Sequence, residues 1–119
     1  MSQTKKVVFC TLQFEAVHCW PNCHIEDVSF LRVKHRHMFH VKAFAEVNHD
    51  DRDVEFIWLK RQISEWIQTK YPMTEFGYLD LGPTSCETIA TDIMNHFGLV
   101  RVEVNEDNEN GAIVWKEGF

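Results

Sequence analysis

The sequence predicts an α+β domain: a four-stranded antiparallel sheet with two helices on one face, in the order ββααββ. Three observations carry this prediction. Residues 6–18 and 35–47 alternate apolar and polar side chains at period two, the mark of a strand with one buried face. Two central segments, 53–68 and 84–98, change to helical spacing. The chain then alternates again on either side of Asn110-Gly111, a hairpin signal. With 119 residues there is material for one core and one domain spanning 1–119.

In the first strand Val8, Cys10, Leu12, Phe14 and Ala16 share a face, with Thr11, Gln13 and Glu15 opposite. Residues 19–34, which hold Pro21 and Asn22, show no period and read as a loop. In the second strand Phe39, Val41, Ala43, Ala45 and Val47 alternate with His40, Lys42 and Glu46. Asn48 to Arg52 is polar and turn-like. Phe56, Leu59, Ile63, Trp66 and Ile67 then fall on one helical face, with Lys60, Arg61, Gln62 and Glu65 on the other, and Tyr71-Pro72 ends the helix. Residues 72–82 read as a loop. Thr84-Ser85-Cys86-Glu87 has the capping-box pattern, and Ile89, Ile93 and Phe97 continue to Gly98, a helix stop. Val100, Val102 and Val104 mark the third strand over 99–105, and 112–115 the last. Four strands leave two open edges, so self-association is expected.

Composition excludes several classes. Hydrophobic residues make up 45% and charged residues 25%, the balance of an ordered globular chain. Lys and Arg number 12 against 18 Asp and Glu, a formal charge of −6. A duplex nucleic-acid binder neutralises phosphates with a basic surface, and none is available here. No apolar run approaches the roughly 20 residues that span a bilayer. The opening MSQTKK and the short apolar run after it do not form a secretory signal, so a cytoplasmic location is expected. In that compartment Cys10, Cys19, Cys23 and Cys86 are expected as free thiols or metal ligands.

Histidine is the informative residue. Of seven, His18, His24, His35 and His37 lie within twenty positions, with His40 close behind. Parity sorts them. His18 continues the apolar face of the first strand, and His35 with His37 heads the apolar face of the second. If these strands form an antiparallel hairpin, three imidazoles converge at one end of one face, the donor set of a zinc site with an open fourth position. A competing pattern, Cys19-x₃-Cys23-x₁₁-His35-x₄-His40, approximates zinc-finger spacing. It fails on parity: a finger needs both histidines on one helical face, whereas His35 and His40 point to opposite faces of a strand. On the third strand Val100, Val102 and Val104 lead on the same face to Glu106, a carboxylate suited to accept the paired N–H donors of a 2-amino-4-oxo-pyrimidine ring.

Phe14-Glu-Ala-Val-His18, His35-Arg-His37, Thr84-Ser-Cys-Glu-Thr-Ile-Ala90 and Val104-Asn-Glu106 together resemble the 6-pyruvoyl-tetrahydropterin synthase and 6-carboxy-tetrahydropterin synthase family. That family is marked by an F-x-x-x-H strand end, an H-G-H strand start, a P-T-x-E-N helix start and a glutamate in the final hairpin. The resemblance spans nearly the whole chain. It implies a tunnelling fold (T-fold) in which trimers close their sheets into a barrel and two trimers commonly stack, so a homo-trimer or homo-hexamer with sites between subunits. It implies zinc on His18, His35 and His37, a pterin ring anchored by Glu106, and pterin contacts from Thr84, Ser85 and Cys86 at the second helix start. Pro83-Thr84-Ser85 also matches the motif start, one residue out of step.

The departures from the family are specific. Its catalytic cysteine, four residues before the first His of H-G-H, is Leu31 here, and the middle glycine is Arg36. The Asp-His pair expected between the helices is missing; the nearest residues are Glu75 and Asp80. Candidate replacements are Cys23 or Cys19 as thiol, Glu26 or Asp27 as base, and His49 with Asp50 as proton relay. The expected function is therefore a zinc-dependent enzyme of the 6-carboxy-tetrahydropterin synthase type, acting on a reduced pterin of the dihydroneopterin triphosphate kind and feeding pterin or queuosine-type 7-deazaguanine biosynthesis. The alternatives are a divergent T-fold that binds a pterin or purine without the lyase step, and a structural zinc module.

Overall fold

A computed structural model describes residues 4–119. It contains β1 (Lys6–His18), a 3₁₀ helix (Glu26–Arg32), β2 (His35–Val47), α1 (Phe56–Lys70), β3 (Leu79–Asp80), α2 (Cys86–Phe97), β4 (Arg101–Glu106) and β5 (Asn110–Trp115). The sheet order is β3-β1-β2-β4-β5. The α+β class holds, but the sheet has five strands, not four, and it is mixed: β3 runs parallel to β1.

β1 and β2 form the long antiparallel hairpin expected from parity, paired from Lys6↔Val47 to His18↔His35. β4 adds antiparallel to β2, and β5 to β4. The buried face carries Cys10, Leu12, Phe14 and Ala16 from β1, Phe39, Val41, Ala43 and Ala45 from β2, and Val102 and Val104 from β4. Both helices cover it, α1 through Leu59, Ile63 and Ile67 and α2 through Ile89, Ala90 and Ile93. These spacings of three and four put each helix's apolar residues on one stripe. Phe14 and Phe39, cross-strand partners, stack with centroids 5.4 Å apart beneath the histidine end.

Several boundaries move for identifiable reasons. α1 begins at Phe56 rather than Asp53, because the Glu55 carboxylate accepts the N–H groups of Ile57 and Trp58 and caps the helix there. α2 begins at Cys86: its N-cap is Ser85, whose Oγ accepts from Thr88 N–H, so the cap lies one residue past the Thr84 expected from the capping-box pattern. Gly98 ends α2 in the left-handed region at φ 64°, where a side chain is disfavoured. Gly111 is required by contact: a Cβ there would lie 2.1 Å from the Val104 carbonyl oxygen. Within the expected loops lie the 3₁₀ helix and β3. The former is broken at Val28, and the latter is held by one buried side chain, Leu79, beside Ala16. Among the described residues no helix is long and apolar enough to cross a membrane.

Candidate metal centre

The β1–β2 register places His18 directly opposite His35, with His37 opposite Ala16 on the same face. Antiparallel partners share a face, and alternation returns the chain to that face every second residue. One ring nitrogen from each of His18, His35 and His37 lies within 4.8 Å of the others. The rings meet edge to face, with centroids 4.7 Å apart for His18–His35, 5.0 Å for His35–His37 and 5.4 Å for His18–His37.

Each imidazole is held from behind through Nδ1. His18 Nδ1 donates to the Thr84 carbonyl at 2.8 Å, His35 Nδ1 to the Val33 carbonyl at 2.8 Å, and His37 Nδ1 to Asp107 Oδ2 at 2.7 Å. With Nδ1 serving as donor, Nε2 is left as the inward-facing nitrogen of each ring. Outward acceptors of this kind fix tautomer and orientation in metal-binding histidines. Nε2 of His37 is buried and makes no hydrogen bond. An orphaned, inward-turned imidazole nitrogen beside two others fits a cation, and three imidazoles are a donor set that zinc accepts.

Glu106 reaches the same point. Its Cα pairs with Phe39, one step along the face from His37. Its Oε2 lies 2.9 Å from His18 Nε2, and its Oε1 lies 3.5 Å from His37 Nε2. The hydrogen bond to His18 holds the Glu106 carboxyl below the usual range, against burial, with help from the charges on the histidines. Burial works against the His18 imidazolium, but Glu106 and the Thr84 carbonyl outweigh it and raise its pKa.

A cavity of about 500 Å³ opens beside the histidines. Its walls include His18, His35, Glu106, Thr84, Ser85, Cys86 and Glu87, and also Cys19, Trp20, Leu31 and Gly111. Thr84, Ser85 and Cys86 are thus where a ligand beside the histidines would meet them. Their side chains are already engaged: Thr84 Oγ1 donates to the Leu81 carbonyl, Ser85 caps α2, and Cys86 Sγ donates to Glu106 Oε2 at 3.8 Å. Burial, followed by the Glu106 charge, pushes the Cys86 thiol up to about 12.

Most proposed replacements for the missing proton-transfer groups lie elsewhere. Cys23 is buried within its own loop, its Sγ turned to the Ile25 and Val28 carbonyls, and does not line the cavity. Cys19 does. Glu26 is exposed on the 3₁₀ helix near Arg32, and neither it nor Asp27 lines the cavity. His49 and Asp50 sit at the far end of the hairpin, where Asp50 pairs with Lys6, whose strand partner is Val47. Asp80 holds Lys34 and the Gly82 N–H, a structural task. The zinc-finger alternative is not assembled: His40 lies on the opposite face from His35, and Cys23 faces its own loop.

Asp107 is a site residue that sequence reading missed. It adopts φ 58° at the β4–β5 turn and spans Met38 N–H and His37 Nδ1 with its two oxygens. The available signal was an aspartate directly after Glu106, in a turn-rich Asp-Asn-Glu-Asn-Gly run.

No family model matches the chain, and no curated protein matches it. Among solved structures, it is similar to the crystal structure of uncharacterized protein WS1659 from Wolinella succinogenes, with a TM-score of 0.60 at 17% identity, covering 97% of this chain and 100% of that one. At that identity the likeness concerns the fold alone.

Proposed function

We propose that this chain is a zinc-dependent T-fold protein of the pterin-synthase type, binding a reduced pterin or purine-like heterocycle beside a His18/His35/His37 centre. One observation carries the proposal: three imidazoles, each fixed through Nδ1, turn their remaining nitrogens to one point at the wall of a ligand-sized cavity. Zinc held there would supply electrophilic polarisation of a bound oxygen. The chain's own groups orient the ligand. Glu106 offers a carboxylate to ring N–H donors, and the first turn of α2 walls the cavity.

The proton-transfer part is weaker than in the family it resembles. Leu31 lines the cavity at the position where that family carries its cysteine, and Leu31 has no proton to move. General acid–base groups contribute on the order of a hundred- to ten-thousandfold, so binding with slow or absent turnover is the reading favoured here. A lyase of the 6-carboxy-tetrahydropterin type is the second reading, favoured by the Cys19 thiol and the Glu87 carboxylate in the cavity wall.

Zinc titration with metal analysis, followed by neopterin binding and assay with dihydroneopterin triphosphate, separates the two. About one zinc per chain, lost in His35→Ala, with neopterin bound and little turnover, supports the binding reading. Brisk turnover abolished by Cys19→Ala or Glu87→Gln supports the lyase. Zinc without any heterocycle binding at millimolar ligand leaves only the metal centre and removes the pterin assignment.

A further inference from the structure

The metal reading leaves Glu106 with a ring-anchoring role, yet both of its oxygens are turned to the histidines. We propose that Glu106 is itself a protein ligand of the centre, so that the donor set before any heterocycle binds is three imidazoles and one carboxylate. This rests on the metal reading above and sharpens it.

The inference follows from counting donors and acceptors. His18, His35 and His37 each use Nδ1–H on an outward acceptor. As neutral imidazoles they present only Nε2 lone pairs inward. Glu106 adds a carboxylate oxygen 2.9 Å from one of these nitrogens and another 3.5 Å from a second. Without a cation the 2.9 Å contact needs a proton on His18 Nε2; a metal ion among these atoms takes that proton's place and turns every contact attractive. The backbone presents Glu106 there without strain: Phe39↔Glu106 is a regular β2–β4 pair, and the residue lies on the face shared by His37. Cys86 adds a thiol donor to Oε2.

Two consequences distinguish this arrangement from a three-histidine site. A nitrogen-and-carboxylate set accepts cobalt, manganese and iron as well as zinc. A ring that takes Glu106 must take it from the metal, so heterocycle and metal share one group, and ring binding frees a coordination position beside itself.

The test uses the full chain with zinc or cobalt alone. Glu106→Gln is compared with Asp107→Asn, which meets His37 on its outward side and also holds the Met38 N–H. Loss of a supporting partner costs typically ten- to a hundredfold in affinity. Glu106→Gln should weaken zinc by on the order of a hundredfold or more and change the visible spectrum of the cobalt-loaded chain. Asp107→Asn should weaken binding without altering that spectrum. On wild type, zinc added to chain labelled with ¹³C-glutamate should shift one carboxylate stretch in the infrared, a readout that requires no variant. Zinc bound by wild type without that infrared shift, or a Glu106→Gln variant with unchanged affinity and cobalt spectrum, overturns the inference and leaves the three-histidine centre standing. Wild type that binds neither metal overturns both.

Discussion

Cys86 shows how one position at α2's first turn is fixed chemically. Its thiol is buried, faces the Glu106 carboxylate, and is pushed up to about 12 from an ordinary 9.0. A thiolate there would be desolvated and placed beside another negative charge, so the proton stays. The expected outcome is that Cys86 resists iodoacetamide at pH 8, reacting on the order of a thousandfold more slowly than an unperturbed thiol. Mass spectrometry of the native, metal-free chain reads this directly, and modification of Cys86 at the rate of an unfolded control would contradict the packing. At this scale the sequence was legible for side chains with parity and illegible for their supports. His18, His35 and His37 are found by counting in twos. The Thr84 and Val33 carbonyls that orient two of them carry no side-chain signature, and Cys23 points away for reasons that lie in its loop's path rather than in its neighbours' identity.

The elements that sequence period revealed are those long enough to repeat it. β1 and β2 run thirteen residues each, and α1 and α2 fifteen and twelve, so their alternation or stripe is sampled several times. β3 has two residues and cannot show a period; Leu79 simply fills a gap beside Ala16. α1's end is instructive because it couples local stop signals to packing. Tyr71 is its C-cap, packs against the core and precedes Pro72. Burial, followed by Asp92, pushes the Tyr71 hydroxyl up to about 12. A raised folded pKa leaves stability intact below the unfolded value of 10.0 and removes it as pH climbs through the folded one. Chemical denaturation between pH 9 and 12 should therefore show a decline over about pH 10 to 12 that Tyr71→Phe makes shallower. An identical decline in both proteins would mean that Tyr71 is solvated.

The whole molecule is longer than a lone chain of this size needs to be. Its radius of gyration is 16.0 Å, against about 13.5 Å for a compact 119-residue domain, and it extends 53 Å along its major axis. The β1–β2 hairpin sets that length, and among the described residues β3 covers β1's outer edge only at Ala16 and Val17. At the other edge β5 has no outer neighbour among the described residues. Each pairing from β1 through β2 and β4 to β5 is antiparallel, so β5 runs opposite to β1. A second copy can therefore lay its β1 along β5 and continue the sheet without reversing direction, a head-to-tail contact that must close into a ring or grow without limit. The face away from the helices carries a row of cross-strand partners, Phe9, Phe44, Arg101 and Trp115, with Phe9 and Trp115 half exposed. Exposed Phe30, Val33 and Phe76 add apolar surface near the histidine end. Closure would remove edges that otherwise template aggregation and would give that surface an interior to face. If the chain assembles as the tunnelling-fold family it resembles, sedimentation equilibrium at micromolar concentration should return three or six times the 14.1 kDa chain mass. A lysine at the edge, Ile113→Lys, should shift the chain toward monomer by placing charge in the new interface. A wild-type mass of one chain would remove the ring, and with it any completion of the histidine cavity by a neighbouring copy.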